Sequence, residues 1–167
     1  MTDAHAEQDW RAWFAEHGAR LRLIARQWTR CDADADDVLQ EAFVRFWRHQ
    51  RHLPGDPNAL VVTSIRRAAL DHHRRRDRRT LREQAVAADA DLVGDFEPEA
   101  DPRLAALARS LPALPPEQRE VVVLKVWGDL TFEQIGAQLD ISPNTAASRW
   151  RYAMEALRRL IAARTYE

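Results

Sequence analysis

Near the C-terminus the apolar positions Ala146, Trp150, Ala153, Leu157, Leu160 and Ile161 recur at three- and four-residue steps, the stripe of a helix packed along one side. The residues just ahead of the stripe set its start: Ser142 is an N-cap type, and Pro143 takes the first helical position, where a missing N–H costs nothing. A shorter helix precedes it. Thr131 and Gln134 form a capping box at its start, Ile135 and Leu139 supply its inward face, and Asp140, which tolerates a left-handed backbone, is expected to end it. Two tight helices with both caps in register read as a helix-turn-helix. Upstream, Asp101-Pro102 opens a helix with Leu104, Leu107 and Leu111 inward. The run Leu114-Pro115-Pro116-Glu117 opens another, with Gly128 placed as its C-terminal cap. The pattern therefore predicts a unit of four helices from Pro102 onward.

The first half has the same period. Over 9–30, Trp10, Phe14, Leu21, Ile24 and Trp28 fall at helical intervals and predict one amphipathic helix. An acidic, cap-rich break follows, and then a second helix over 34–48 with Val38, Leu39, Ala42, Phe43, Phe46 and Trp47. That apolar set is wider than one stripe. Leu39, Ala42 and Phe46 suit packing within a domain while Val38, Phe43 or Trp47 suit a second partner, and an all-core reading accounts for them equally well. Proline and glycine make 52–58 a turn, and Asn58 is placed to cap a third helix running through Val62, Ile65 and Ala69 into the basic run DHHRRRDRR. Residues 83–101 are acidic, small or proline with few large apolar side chains, and read as a tether between two domains.

Composition changes this picture only through its distribution. The 167 residues are 46% hydrophobic, enough for globular cores, and the formal net charge of −1 gives no hint of a nucleic-acid partner. Residues 66–82, however, hold eight arginines against two aspartates, a net of +6, and residues 83–117 hold two arginines against eight acids, a net of −6. Cys31 is the only cysteine, which excludes an internal disulfide and a Cys-rich zinc site and fits a reducing compartment. No apolar run long enough for export or membrane spanning occurs, so a soluble cytoplasmic protein is expected. Five glycines, none in a phosphate-cradling pattern, argue against a nucleotide loop.

Two stretches carry candidate chemistry. The face of the last helix opposite its apolar stripe bears Asn144, Thr145, Ser148, Arg151, Tyr152, Glu155 and Arg159, with no acid in its N-terminal half. Short polar groups and arginines there are what reading base edges in a major groove requires, although an ordinary solvated helix has the same look. The basic end of the third helix could release counterions from several phosphates, giving tight, salt-sensitive binding without sequence choice. A metal-dependent enzyme built from Glu41, His49, His52, His72 and His73 fits poorly, because adjacent histidines diverge by about 100° on a helix and no HExxH-type spacing occurs.

With both halves read, the chain resembles the bacterial sigma-70 family, and within it the small extracytoplasmic-function type. The stretch 36–47, DDVLQEAFVRFW, is similar to the family's core-polymerase-binding helix; ALDHHRR at 69–75 is similar to the end of its −10-element helix; 114–158 is similar to its −35-binding domain. The resemblance implies an all-α fold of two small helical domains: region 2 over 1–82, an acidic linker over 83–101, and region 4 with the helix-turn-helix over 102–167. Asp37, Gln40, Glu41, Phe43 and Trp47 are implied to dock on the β′ coiled coil of core RNA polymerase. Arg66, Arg67, Asp71, His72, Arg74, Arg75 and Arg76 are implied to hold −10 DNA, and Asn144, Thr145, Ser148, Arg149 and Arg151 to read −35 duplex. Region 4 would also touch the β flap, and an anti-sigma factor is a possible further partner.

No catalytic group, metal or cofactor is implied, since strand opening without ATP has to draw on differential binding of single and paired strands. The sequence departs from the family at Leu60, where an aromatic is common, at Arg67, where asparagine is common, and at Asn144 and Ala147, where glycine and lysine are frequent. The other reading is a polymerase-independent helix-turn-helix regulator, which leaves 37–47 unexplained. The chain stops soon after Ile161, so no appended sensor domain is expected and regulation should come from elsewhere.

Overall fold

The computed structural model describes residues 2–80 and 101–165, and within them eight α-helices and no strand. Most of the expected linker, 83–100, and the expected end of the first domain at 81–82 lie outside the described residues, as does the side chain of Trp10. The first four helices are α1 (Thr2–Glu16), α2 (Gly18–Arg26), α3 (Asp32–Arg45) and α4 (Pro57–Thr80). The second four are α5 (Pro102–Ser110), α6 (Pro116–Val126), α7 (Phe132–Leu139) and α8 (Pro143–Thr165). A π-helical turn, Phe46–Gln50, ends α3, and a 3-10 turn, Leu111–Ala113, joins α5 to α6.

The single helix expected over 9–30 is broken. His17 leaves helical geometry at φ −99° and ψ 8°, with Gly18 after it, yet Leu21 N still donates to the His17 carbonyl at 3.0 Å. The result is a kink rather than a loop, and α2 bends inward so that Leu21, Leu23 and Ile24 are all buried. At the far end of α2, buried Arg26 reaches Asp32 at 3.0 Å. The pair ties the carbonyl end of one helix to the amide end of the next, each charge placed where the helix dipole favours it.

Two expected caps belong to other residues. Cys31 caps α3, its sulfur accepting from Asp34 N at 3.5 Å, so that helix starts two residues earlier than the pattern predicted. Asp56 takes the role expected of Asn58: its carboxylate accepts from Asn58 N at 3.1 Å, and Pro57 fills the first helical position. The core of the first domain is Val38, Ala42 and Phe46 from α3 against Val62, Ile65, Ala68 and Ala69 from α4. Val38 is fully buried, so it is a core residue and is not presented to a partner. Of these, Val38, Phe46, Val62 and Ile65 each contribute about 1.5–3 kcal/mol by leaving water.

In the second domain the local signals hold closely. Thr131 Oγ1 accepts from Gln134 N at 3.2 Å while Gln134 Oε1 accepts from Thr131 N at 2.9 Å, and Asp140 is left-handed at φ 56°. Ser142 Oγ accepts from Thr145 N at 3.1 Å and opens α8. At the end of α6 the left-handed residue is Asp129, φ 51°, and not Gly128. Gly128 is needed for a different reason, since a Cβ there would lie 2.5 Å from the Leu124 carbonyl oxygen. Val121, Leu124, Leu130, Ile135, Ala146, Ala153 and Leu157 close the core between α6, α7 and α8.

The domains pack on one another. Helices α6 and α7 lie against α2 and the start of α4. Trp28 Nε1 donates to Glu120 Oε2 at 3.1 Å and Gln134 Nε2 to Asp56 Oδ2 at 3.2 Å.

Candidate functional site

Helix α3 carries its predicted docking residues on the side turned from its core. Asp37 and Gln40 are exposed, Glu41, Phe43 and Trp47 half-buried. The two aromatics are held in place from behind. Phe43 meets Phe14 edge-on at 4.7 Å, and the Arg51 guanidinium sits 4.0 Å over the Trp47 ring. Val44, at 44% exposure, shares the helical face of Asp37, Gln40 and Glu41 and was not singled out from the sequence. Its signal is an aliphatic side chain three, four and seven residues from those polar neighbours.

Helix α4 runs antiparallel to α3, and ion pairs join them along their length. Arg45 Nη2 bonds both Glu41 Oε1 at 2.7 Å and Asp71 Oδ2 at 2.5 Å, and Arg75 Nη2 reaches the same Glu41 oxygen at 2.7 Å. Farther along, Asp34 accepts from Arg76 and lies 3.3 Å from His72 Nε2. The Arg45 hydrogen bond holds the Asp71 carboxyl below the usual aspartate range, and Asp71 in turn raises Arg45. Of the predicted −10 residues, then, Asp71, His72, Arg75 and Arg76 are bound to α3 carboxylates or to its arginine. Arg66 lies 5.6 Å over the Trp28 ring, while Arg67 and Arg74 are exposed, Arg74 at 3.8 Å from Asp71. The basic rod read from sequence is partly neutralised by acids from 34 or more residues away, which no local count can reveal.

The duplex-reading set stands on the first turns of α8. Asn144 and Arg151 are exposed and Thr145, Ser148 and Arg149 half-buried, with the Arg151 guanidinium 5.3 Å from the Tyr152 ring. Helix α7 braces this end through Gly136, where a Cβ would fall 2.6 Å from the Ile141 carbonyl oxygen. Two predicted sets are thus brought together, docking and −10, on packed helices. The −35 set stands apart on the second domain. Among the described residues no group of three or more His, Cys, Asp or Glu side chains is placed to hold a metal, and no helix is long and apolar enough to cross a membrane.

Comparison with known proteins follows the same division. The model of Sigma-70 region 2 matches residues 13–79 and that of Sigma-70, region 4 matches residues 104–157. The chain is 34% identical to the RNA polymerase sigma factor CarQ of Myxococcus xanthus over 89% of its own length and 86% of the relative. It is 31% identical to the ECF RNA polymerase sigma factor SigL of Mycobacterium tuberculosis over the same shares. Against the ECF RNA polymerase sigma factor SigE of Mycolicibacterium smegmatis it is 33% identical over 99% of its length, spanning 66% of that relative. The sigma factor RpoE, solved with the anti-sigma factor NepR from Bartonella quintana, shares the fold at a TM-score of 0.67 and 20% identity, over 93% of this chain and 98% of that one. With both region models matched in order and relatives above 30% identity spanned over most of their length, the chain belongs to the sigma-70 family of RNA polymerase sigma factors, in its extracytoplasmic-function group.

Proposed function

We propose that this protein is a transcription initiation factor that binds core RNA polymerase in the cytoplasm and directs it to promoters, acting by binding rather than by catalysis. The observation that carries the reading is the pairing, in one chain, of the exposed Asp37 and Gln40 beside half-buried Glu41, Phe43 and Trp47 on α3 and the turn that ends it with an acid-free, polar start on α8. Asp37, Gln40, Glu41, Phe43 and Trp47 dock on the β′ coiled coil. Helix α4 follows the melted −10 strand with Arg66, Arg67 and Arg74, while Arg75, Arg76, Asp71 and His72 hold it to α3. Asn144, Thr145, Ser148, Arg149 and Arg151 enter the −35 major groove, with the second domain on the β flap.

Opening the strands without ATP requires that the loaded factor favour unpaired −10 DNA over duplex by more than unpairing costs. Because Leu60 stands where a stacking aromatic is common, that margin comes from backbone contacts and other bases rather than from a ring at this position. Co-purification with core polymerase and run-off transcription test the reading together. Gln40→Ala with Trp47→Ala should weaken holoenzyme formation by roughly tenfold or more, as loss of interface anchors does. A protein that footprints promoter DNA unaided and never retains core enzyme would instead be a polymerase-independent regulator.

A further inference from the structure

Arg45 belongs to neither the docking set nor the −10 set, yet it is the side chain on which the two meet. Its Nη2 donates to Glu41 Oε1 at 2.7 Å on its own helix and to Asp71 Oδ2 at 2.5 Å on α4. Two arginines of α4 approach the same carboxylates. Arg75 Nη2 lies 2.7 Å from Glu41 Oε1, and Arg74 Nη1 lies 3.8 Å from Asp71 Oδ1. Three guanidinium groups thus share two carboxylates, and one positive charge is left over. Without Arg45 each carboxylate would claim one arginine of α4, and nothing would remain. Arg45 is half-buried between the helices, whereas the Arg74 side chain is 72% exposed.

The position of Asp71 decides which arginine is spared. Arg67, Leu70, Arg74 and Arg78 recur at three- and four-residue steps and are all exposed, so they make the outer face of α4. Asp71 stands four residues from Arg67 and three from Arg74, at the edge of that face. A carboxylate left uncompensated there would repel a phosphate backbone and draw in the nearest arginine, which by helical spacing is Arg74. Arg45 offers it a partner from another helix instead. The Arg45 hydrogen bond is the largest cause of the lowered Asp71 pKa, with the charge of Arg74 a smaller one, and Asp71 raises Arg45 in return. Arg74 therefore stays at the outer limit of an ion pair, its guanidinium turned to solvent on the face where −10 DNA is expected.

We propose that Arg45 is a positioning residue for the −10 strand: by occupying Asp71 it leaves Arg74 to the phosphates of single-stranded DNA without touching the strand itself, a role that presupposes the sigma reading. The test is binding of a short fluorescein-labelled DNA single strand of mixed sequence, followed by anisotropy at several salt concentrations. It is run on the full chain free and in holoenzyme, with core polymerase alone as background. Arg45→Met keeps the aliphatic stem and should weaken binding by roughly threefold to tenfold, with the salt slope lower by about 0.7, the share of one phosphate contact. Arg45→Met combined with Asp71→Asn removes the acid that would capture Arg74, and should return affinity and slope to within about twofold of the parent. A merely structural role for Arg45 would not be repaired by deleting its partner. Asp71→Asn alone should bind the strand as tightly as the parent or more tightly. Parent-like binding by Arg45→Met, a double variant no tighter than Arg45→Met, weaker binding by Asp71→Asn, or a parent that holds the strand in neither form would overturn the assignment. If the parent forms no holoenzyme, the sigma reading falls, and the free chain still decides whether Arg45 spares Arg74.

Discussion

Asp71 illustrates how the type of a side chain is legible in the sequence while its partner is not. An aspartate amid arginines suggests a local ion pair, and Arg74 three residues on does approach it at 3.8 Å. The shorter bond is to Arg45, twenty-six residues away, and that hydrogen bond is the main cause of the lowered Asp71 pKa. The sign of the pH effect follows. An unfolded aspartate titrates near about 3.9, and the folded one lower, so the pair stabilises fully above that range and loses its contribution as pH falls through the folded value. Because Asp71 is about a third exposed, solvent screens the pair, and Asp71→Asn should cost no more than ~1 kcal/mol at neutral pH. Urea unfolding of parent and variant at pH 7 and again below pH ~4 checks this: the difference should shrink at the lower pH, and a constant gap would contradict the assignment.

At the scale of elements, legibility depends on whether a signal is local. The helix-turn-helix could be read almost completely, because Thr131 and Gln134 cap each other within one turn, Asp140 accepts the left-handed backbone itself, and Ser142 caps three residues ahead. The kink at His17, the thiol cap at Cys31 and the cap at Asp56 were missed or misassigned because several neighbouring residues suited each role and packing decided among them. Gly136 was passed over for the opposite reason: a glycine within a helix looks incidental until the next chain segment is in place. Its missing side chain lets the Ile141 carbonyl and Pro143 nitrogen approach, the latter at 3.3 Å from a built Cβ. Gly136→Ala should therefore overpack the turn, costing about 1–3 kcal/mol and swinging α8 away from its brace. Thermal unfolding together with binding to −35 duplex reads both effects, and an alanine variant with unchanged duplex affinity would show that the turn tolerates the shift.

For the whole molecule, the division into two helical units was legible from the stretch 83–101, acidic, small or proline with few large apolar side chains, and the seam where the units pack on one another was not. Leu21 and Val62 read as inward positions of their own helices, and they are buried, but Trp127 of the other domain lines the same recess. Residues 81–100 matter here chiefly as a bound on distance: a connection of twenty residues keeps each domain at an effective concentration of roughly millimolar order around the other. Each domain also has its own core, Val38, Phe46 and Ile65 in one and Val121, Ile135 and Leu157 in the other, so neither depends on the connection for folding. Cleavage at a protease site inserted near Gly94 should thus leave two helical halves with little change in circular dichroism. At micromolar concentration the seam then competes with dilution instead of with a tether, and the halves should separate on size exclusion. Promoter-directed initiation should disappear with them, because the half that holds polymerase no longer carries the half that finds the −35 duplex. A single half that initiated unaided would mean that the two surfaces do not act on one promoter together.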